Sequence, residues 1–358
     1  MTSPTSQILI QVVPRLHPGR CGVTDHALAL ADGLRNEFGV ETAFAVLNSS
    51  DRCSVPFPVV YCSPGELLPN CEALSDGRSA AVLVHLSGYG YSPDGAPALL
   101  ASALARVKAS GRFRIAVYFH ELFASGPPWK SAFWHSRRQQ REVRAIAQLC
   151  DLTVTNTRKH ADWLERKFPQ PSTLKLMPVF STVGEAQVLE PFAARQPSIA
   201  VFGLPGSRQA AYKQLTSLAP TLDALGVKAI LDIGPPSDTP PDVNGIAVSC
   251  QGQLAAANLA RVLSFCRFGF MAHPSFCMAK SSVFAGYCAQ GVIPVLAESF
   301  RGEVDGLTDG IHVVSPSSVE SAKSLGWENC SRSAWNWYME HRLRVHAKQY
   351  VNWMSRAA

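Results

Sequence analysis

The 358-residue chain lacks the sequence signals of several large protein classes. Its first residues, MTSPTSQILIQVV, contain neither a basic segment nor a long apolar segment, which argues against a signal peptide. No apolar run approaches the roughly 20 residues that a membrane span requires. The ten cysteines form no CxxC pair and no compact framework, so we expect them to be reduced and mostly buried. These absences predict a cytoplasmic protein and leave contact with a membrane surface open.

Charged residues are few, and several familiar catalytic motifs are absent. Charged residues make up only 17% of the chain and the net charge is +6, so we expect no nucleic-acid partner. The sequence contains no Walker A motif, no HExxH, no GxSxG and no cluster of metal ligands. Apolar residues amount to 47%, which is enough for two hydrophobic cores.

Short apolar runs alternate with helical patterns in both halves of the chain. This alternation predicts an α/β protein with doubly wound, mostly parallel sheets. The predicted strands cover residues 8–13, 42–47, 80–86, 114–119, 152–156, 174–179, 198–203, 228–234, 245–250, 268–273, 292–297 and 311–315. The predicted helices include residues 24–37, 96–109, 139–149 and 333–354.

Residues 178–198 contain three prolines and little periodicity, which is typical of a domain boundary. We therefore predict an N-terminal Rossmann-like domain at 1–186 and a C-terminal Rossmann-like domain at 187–332. The tryptophan-rich segment 333–358 is predicted to be a docked terminal helix.

Residues 8–34 and 199–215 share one design, in which an apolar strand leads through a glycine turn into a helix. Such a turn presents backbone N–H groups and the positive end of a helix dipole to an anion. In the first unit Gly22 would let the backbone approach a ligand, and Asp25 or Thr24 could cap the helix. The alternative is an ordinary loop with a helix cap. Two such units predict two domains with a phosphate-bearing ligand in the cleft between them.

The second of these units carries positive charge. Gly203 opens the turn, and Arg208 and Lys213 follow on the predicted helix. An arginine fork and a lysine point charge could together clamp a diphosphate. The alternative is ordinary surface charge at the start of a helix. The helix dipole disfavours cations there, so their presence slightly favours an anionic ligand.

Polar clusters follow the third and fourth predicted strands, at the strand ends where open parallel sheets bind ligands. Tyr89 lies in a glycine-rich loop that suits a sugar ring or a base, or that simply forms a tight turn. His120 could hydrogen-bond a hydroxyl, with Glu121 orienting its ring, although such a pair is often structural. Trp129 ends the rigid loop that follows.

The segment 130–144 is strongly basic. On a helix, three of its arginines share one face, which is either a solvated surface or a surface that contacts anionic lipid headgroups. The cations of this predicted surface are Lys130, Arg137, Arg141 and Arg144.

A further constellation follows the predicted strand 268–273. Lys280 and the hydroxyls of two serines at the start of a helix predict a strong anion site, or else a capped helix with an exposed lysine. The candidate donor-binding residues of this segment are His273, Ser275, Lys280, Ser281 and Ser282.

The order of these motifs resembles the GT-B glycosyltransferases, in particular the bacterial enzymes related to glycosyltransferase family 4 that build cell-surface polysaccharides. The resemblance covers nearly the whole chain. It is carried by the glycine-rich loop 18–22, the histidine–glutamate pair after the fourth strand, and the segments PVFSTVGE, FGLPGSR, GYCAQGVIPVLA and AWNWY.

The resemblance implies two facing domains, with a terminal helix that crosses back to the first. It also implies a metal-independent hexosyltransferase without a cofactor, which takes a nucleoside-diphosphate sugar as donor and a glycan or lipid-linked acceptor. Retaining stereochemistry is implied by the resemblance alone. By position, Gly22 would approach the donor phosphates, Arg208 and Lys213 would neutralise them, and His120 would contact the donor sugar. Asp25, Tyr89 and Trp129 would lie on the acceptor side.

The chain departs from the family at two positions. Family members usually carry two glutamates eight positions apart, and the corresponding residues here are Met278 and Gly286. The departure indicates either a subfamily that holds the donor through Lys280 and the two serines, or a silent subunit of a polysaccharide assembly complex that binds without turnover. A nucleotide-sugar epimerase of the same fold is a third alternative.

Overall fold

The computed structural model describes residues 7–17, 21–49, 51–167 and 173–355. Its contacts divide the chain into unit 1, formed by Met1–Pro178 with Leu343–Ala358, and unit 2, formed by Val179–Arg342. The bounds predicted at 186–187 and 332–333 differ from this division. Val179 already donates its N–H to Ala279 O within unit 2, at 2.9 Å.

Unit 1 is built on a seven-stranded sheet. Its strands are β1 (Ile8–Val13), β2 (Glu41–Val46), β3 (Val59–Tyr61), β4 (Ala80–Leu86), β5 (Arg114–Phe119), β6 (Leu152–Thr155) and β7 (Thr173–Leu176). Its helices are α1 (Gly22–Phe38), α2 (Leu67–Ser75), α3 (Gly88–Tyr91), α4 (Ala98–Ala109), α5 (Ser131–Leu149), α6 (Arg158–Lys167) and, in the terminal segment, α13 (Leu343–Ser355). All strand pairs are parallel, in the order β3-β2-β1-β4-β5-β6-β7.

The central strands β1, β4 and β5 are apolar runs that are buried almost throughout, as expected for a parallel sheet that helices cover. Helix α13 packs on α1, where a Cβ added to Gly33 would lie only 3.1 Å from Leu343 Cγ. The strand order reverses between β1 and β4. In such sheets, ligands bind beyond the carboxyl ends of the strands at this reversal.

Unit 2 repeats the design on a smaller sheet. Its strands are β8 (Gln196–Phe202), β9 (Ala229–Ile233), β10 (Asp242–Val243), β11 (Ile246–Gly252), β12 (Cys266–Met271), β13 (Ile293–Leu296), β14 (Glu303–Val304) and β15 (Leu307–Thr308). Its helices are α7 (Pro205–Leu215), α8 (Ala219–Ala224), α9 (Ala256–Ser264), α10 (Ser282–Ala289), α11 (Val319–Leu325) and α12 (Trp327–Met339).

The main sheet of unit 2 has the order β10-β11-β9-β8-β12-β13, and only the edge strand β10 pairs antiparallel. Strands β14 and β15 form a separate antiparallel pair. The order reverses between β8 and β12, so the loops after these two strands lie where a ligand is expected.

Three predicted elements differ from the structure. The strand predicted at 311–315 is wrong, because Val313 and Val314 form only isolated bridges. Helix α5 begins at Ser131, before the predicted start at residue 139. Its first two turns are largely exposed and carry no apolar periodicity, so the apolar pattern did not indicate them. The tail is two helices, α12 and α13, separated by residues 340–342.

Candidate functional site

Three neighbouring strands bring a chain of polar side chains to the carboxyl edge of the unit 1 sheet. Gln11 lies in β1, His85 lies in β4 and His120 follows β5 directly. Gln11 Oε1 lies 2.6 Å from His85 Nε2, and His85 Nδ1 lies 3.1 Å from His120 Nε2. The other end of the Gln11 amide, Nε2, donates to Ala27 O at 3.1 Å. We call Gln11, His85 and His120 the relay.

Two further histidines surround the relay, and burial keeps all four imidazoles neutral. The ring of His26 lies 5.1 Å from that of His120 and 5.8 Å from that of His346. Desolvation lowers the pKa of His85 and of His346 to about 3. Desolvation and the neighbouring imidazoles hold the pKa values of His26 and His120 well below their usual range. At neutral pH these rings therefore offer hydrogen bonds and no positive charge.

The sequence predicts that Glu121 orients the His120 ring, and the structure gives this role to a different residue. Glu121 is exposed, whereas Nε2 of the His120 ring is held by His85. The backbone of His120 is also fixed, since Asn156 Nδ2 donates to His120 O at 3.0 Å. The residue that orients the ring is thus a buried histidine in β4, to which the sequence analysis gave no role.

The glycine-rich segment after β4 forms a tight turn that includes the short helix α3. A Cβ added to Gly88 would lie 2.3 Å from Gly95 O, and one added to Gly90 would lie 2.8 Å from the Pro14 ring. Tyr89 is 51% exposed, and its hydroxyl accepts a hydrogen bond from Gln139 Nε2 at 3.1 Å. The structural alternative therefore fits this turn, and Tyr89 still presents about half of its surface to solvent.

The predicted residues Gly22 and Asp25 both lie in α1, whereas residues 18–20 of the glycine-rich loop lie outside the described residues. Gly22 is the first residue of α1, and a Cβ added there would meet no atom within 4 Å. The helix cap is Cys21, so the expectation that Asp25 or Thr24 caps the helix is wrong. Asp25 instead lies in the first turn of α1.

Arg208 does not offer the free guanidinium that the sequence analysis expects. Its side chain is 1% exposed and pairs with the Asp232 carboxylate and with Pro235 O. Tyr212 completes this buried group by donating its hydroxyl hydrogen to Asp232 Oδ2 at 2.6 Å. The charge of Arg208 is neutralised inside unit 2, so its predicted role as half of a diphosphate clamp does not hold in this structure.

Lys213 is displaced from the glycine turn for a simple geometric reason. It lies in the last turn of α7, whereas the turn at Gly203 leads into the first. Lys213 lies eight positions after Pro205, which corresponds to about 12 Å along the axis. There its charge complements the carboxyl end of the helix dipole, which weakens the argument for a nearby anion.

The start of α10 lies at the strand reversal of unit 2. Gly203, which has a φ of 140° that favours glycine, follows β8, and a Cβ added to it would lie 3.6 Å from Val283 Cγ2. The Ser281 hydroxyl caps the helix by accepting a hydrogen bond from Phe284 N at 3.2 Å. The helix cap thus explains Ser281, and the glycine turn lies next to the first residues of α10.

Lys280 places positive charge beside this helix start. Lys280 is half-buried, and partial desolvation together with the Lys280 charge lowers the pKa of His273. Ser275 and Ser282 are half-buried in the same segment. A lysine next to the amide groups of a helix start is the most complete arrangement for binding an anion that the predicted residues form.

The two positions where the family carries glutamates lie in the core of unit 2. Met278 is fully buried, and a Cβ added to Gly286 would lie 3.3 Å from Val183 Cγ2 and 3.4 Å from the Phe202 ring. A carboxylate at Gly286 would have to displace these apolar side chains. The two positions that lack glutamates are therefore packed among apolar side chains.

Helix α5 begins with an exposed aromatic and basic surface. Trp129 is 82% exposed, Trp134 is 70% exposed, and Lys130 and Arg137 are exposed beside them. Arg144 departs from the prediction, because its guanidinium lies over the Trp163 ring at 5.7 Å. Arg141, also exposed, pairs with Glu142. We call Trp129, Lys130, Trp134 and Arg137 the aromatic–basic surface.

None of the helices in the described ranges combines the length and apolarity needed to cross a bilayer. Likewise, within those ranges no group of three or more histidine, cysteine, aspartate or glutamate side chains is arranged to hold a metal ion.

No protein-family model matches the sequence, and no curated protein is similar enough in sequence to match. Solved structures do match. An alpha-glucosyltransferase in complex with UDP-glucose and abasic-site DNA has a TM-score of 0.61 at 13% identity, covering 98% of this chain and 99% of that one. An alpha,alpha-trehalose-phosphate synthase (UDP-forming) from Burkholderia xenovorans in complex with glucose-6-phosphate has a TM-score of 0.59 at 13% identity, covering 98% and 100%.

The N-terminal domain of Candida albicans trehalose-6-phosphate phosphatase also matches, with a TM-score of 0.57 at 7% identity, covering 99% of this chain and 97% of that one. Identities this low show the fold and do not single out glycosyltransferase family 4. Two units with Rossmann-like parallel sheets, together with these matches along the whole chain, show that the protein has the GT-B fold.

Proposed function

We propose that this chain is a metal-independent glycosyltransferase that moves a sugar from a nucleoside-diphosphate sugar to a glycan or lipid-linked acceptor in bacterial cell-surface polysaccharide synthesis. The observation that carries the proposal is Lys280 beside the start of α10, at the strand reversal of unit 2. Similar folds were solved with UDP-glucose and UDP, which supports a nucleotide-sugar donor.

The proposed chemistry uses charge and dipoles that are already in place. The α10 amides and Lys280 would stabilise the negative charge that develops on the departing diphosphate. In unit 1, the neutral His120 ring would accept a hydrogen bond from a hydroxyl of the sugar. Lys213 and the buried Arg208 have no part in this scheme.

The acceptor we propose is a lipid-linked glycan at an anionic membrane surface. The aromatic–basic surface supports this choice, because exposed tryptophans suit the headgroup region and cations attract anionic lipids. Lys130 and Arg137 supply the charge, and Trp129 and Trp134 supply the apolar contact.

A second candidate function is a silent subunit that binds a nucleotide sugar without turnover. The apolar packing at Met278 and Gly286 favours it, because the family's two carboxylates have no equivalent there. An epimerase of the same fold is the third possibility, and the following assay separates all three.

The test incubates the full chain in EDTA with UDP-, GDP- and ADP-sugars, and follows nucleoside diphosphate release and thermal stabilisation. We expect release only with an acceptor, and more with a lipid-linked acceptor in phosphatidylglycerol vesicles than with a soluble glycan. Equal release with both acceptors would contradict the membrane proposal. Stabilisation without release would support the silent subunit, and sugar inversion without an acceptor would support the epimerase. No response to any donor would contradict all three functions.

A further inference from the structure

The relay fixes the positions of its protons from one end to the other. The Gln11 amide has only one consistent orientation, because Ala27 O can only accept and so must face the Gln11 NH₂ group. Gln11 Oε1 therefore faces His85 Nε2 as an acceptor, and His85 must carry its proton on Nε2.

The same reasoning continues to His120. A neutral imidazole with its proton on Nε2 has a bare Nδ1, so His85 Nδ1 can only accept. Its hydrogen-bond partner is Nε2 of His120, which must then be the donor. A neutral His120 that donates through Nε2 has its lone pair on Nδ1, and this residue, unlike His85, is only partly buried.

We propose that Gln11 and His85 are positioning residues that lock His120 into one tautomer, with the proton on Nε2 and Nδ1 kept as the hydrogen-bond acceptor for a ligand hydroxyl. An unlocked ring would present an N–H donor at Nδ1 for part of the time and could then not accept from a hydroxyl there. The hydroxyl-accepting role rests on the proposed transferase function, whereas the tautomer does not.

Three features of the fold make the lock rigid. Each member comes from a different strand or strand end of the parallel sheet, in the neighbouring order β1, β4 and β5. Gln11 and His85 are fully buried, so water does not compete for their hydrogen bonds. The backbone of His120 is held at its N–H by Leu86 O and at its carbonyl by Asn156.

The direct test is nuclear magnetic resonance of the unliganded chain labelled with ¹⁵N-histidine. Scalar coupling across an N–H···N hydrogen bond identifies both the nitrogen that carries the proton and the nitrogen that accepts it. We expect a proton on His120 Nε2 coupled to His85 Nδ1, assigned with a His120→Gln spectrum. A proton on His85 Nδ1, or no coupling between these two nitrogens, would overturn the proposal.

Variants of His85 then test the consequence. His85→Asn keeps an oxygen acceptor near the position of Nδ1, whereas His85→Leu removes it. We expect His85→Leu to show mixed His120 tautomers and a kcat/KM about tenfold lower, and His85→Asn to stay within about twofold of the wild type. Equal kcat/KM in both variants would contradict the positioning role.

Tyr118→Phe is the matched control, because the Tyr118 ring lies 4.5 Å from that of His120 but makes no relay hydrogen bond. We expect its His120 tautomer to be unchanged. If the chain transfers no sugar, the proposed function fails while the coupling measurement still decides the tautomer. The two failures are therefore distinguishable.

Discussion

Replacing Arg208 with methionine is expected to lower the free energy of unfolding by about 3–5 kcal/mol, because it leaves a buried carboxylate without its counter-ion. Arg208 and Asp232 are both almost completely buried. Their attraction offsets the cost of removing two charges from water, and the methionine variant keeps that cost for Asp232 while losing the attraction. The Tyr212 hydroxyl alone would then face the carboxylate.

Urea denaturation followed by circular dichroism measures this loss directly. The control is the double variant Arg208→Met with Asp232→Leu, which removes both charges and should be clearly more stable than the single variant. A loss below about 1 kcal/mol in the single variant would show that Arg208 is not an essential buried partner. Its role as a ligand for phosphate would then need to be reconsidered.

Acidification from about pH 7 to about pH 5 is expected to cost the chain about 2 kcal/mol for each histidine whose folded pKa is near 3. His85 and His346 are two such residues, so together they account for about 4 kcal/mol. Their pKa values are lower folded than unfolded, so the unfolded chain binds more protons in this range. The stability is therefore full above about pH 6.5 and falls as the pH decreases.

Urea titrations at several pH values between these limits check the slope. Carboxylates titrate mainly below this window, so the histidines dominate it. His346→Phe is the control, because removing one titrating ring should reduce the loss over this pH range by about 2 kcal/mol, whatever the absolute stability of the variant. A free energy of unfolding that stays constant over the window would show that these rings are not held neutral by burial.

Much of the fold could be predicted from apolar runs. The strands predicted at 8–13, 80–86 and 114–119 coincide with β1, β4 and β5, because strands buried on both faces read as continuous apolar segments. Short edge strands such as β3 and β10 escaped prediction, since two or three residues leave too little pattern. The run at 311–315 is apolar for a different reason, as Val313 and Val314 are buried without joining a continuous ladder.

The site was only partly predictable. His120 could be found because it follows a strand directly, but its partners lie inside strands. Gln11 and His85 are polar residues within apolar runs, and a buried polar side chain must find a partner, so the signal was present in the sequence. Which strands are neighbours decides that partner, and the sequence alone does not fix the strand order.

The cations of α7 show the opposite problem. Sequence spacing places Arg208 and Lys213 near a glycine turn, yet it does not show where the helix starts or which face is buried. In the structure Arg208 points to Asp232 in β9, and Lys213 lies at the far end of α7. Of the three predicted phosphate-binding cations, only Lys280 lies next to a helix start that is suited to an anion.

The most direct test of the account is calorimetric titration of the full chain with UDP, GDP and ADP in EDTA, for the wild type, Lys280→Ala and Lys213→Ala. We expect the wild type to bind one of these nucleotides without metal. Lys280→Ala should weaken that binding by about tenfold to a hundredfold, as for the loss of a charge-assisted contact, and Lys213→Ala should bind like the wild type. Equal affinity of the Lys280→Ala variant and the wild type, or no binding of any nucleotide by the wild type, would contradict a diphosphate site at the start of α10.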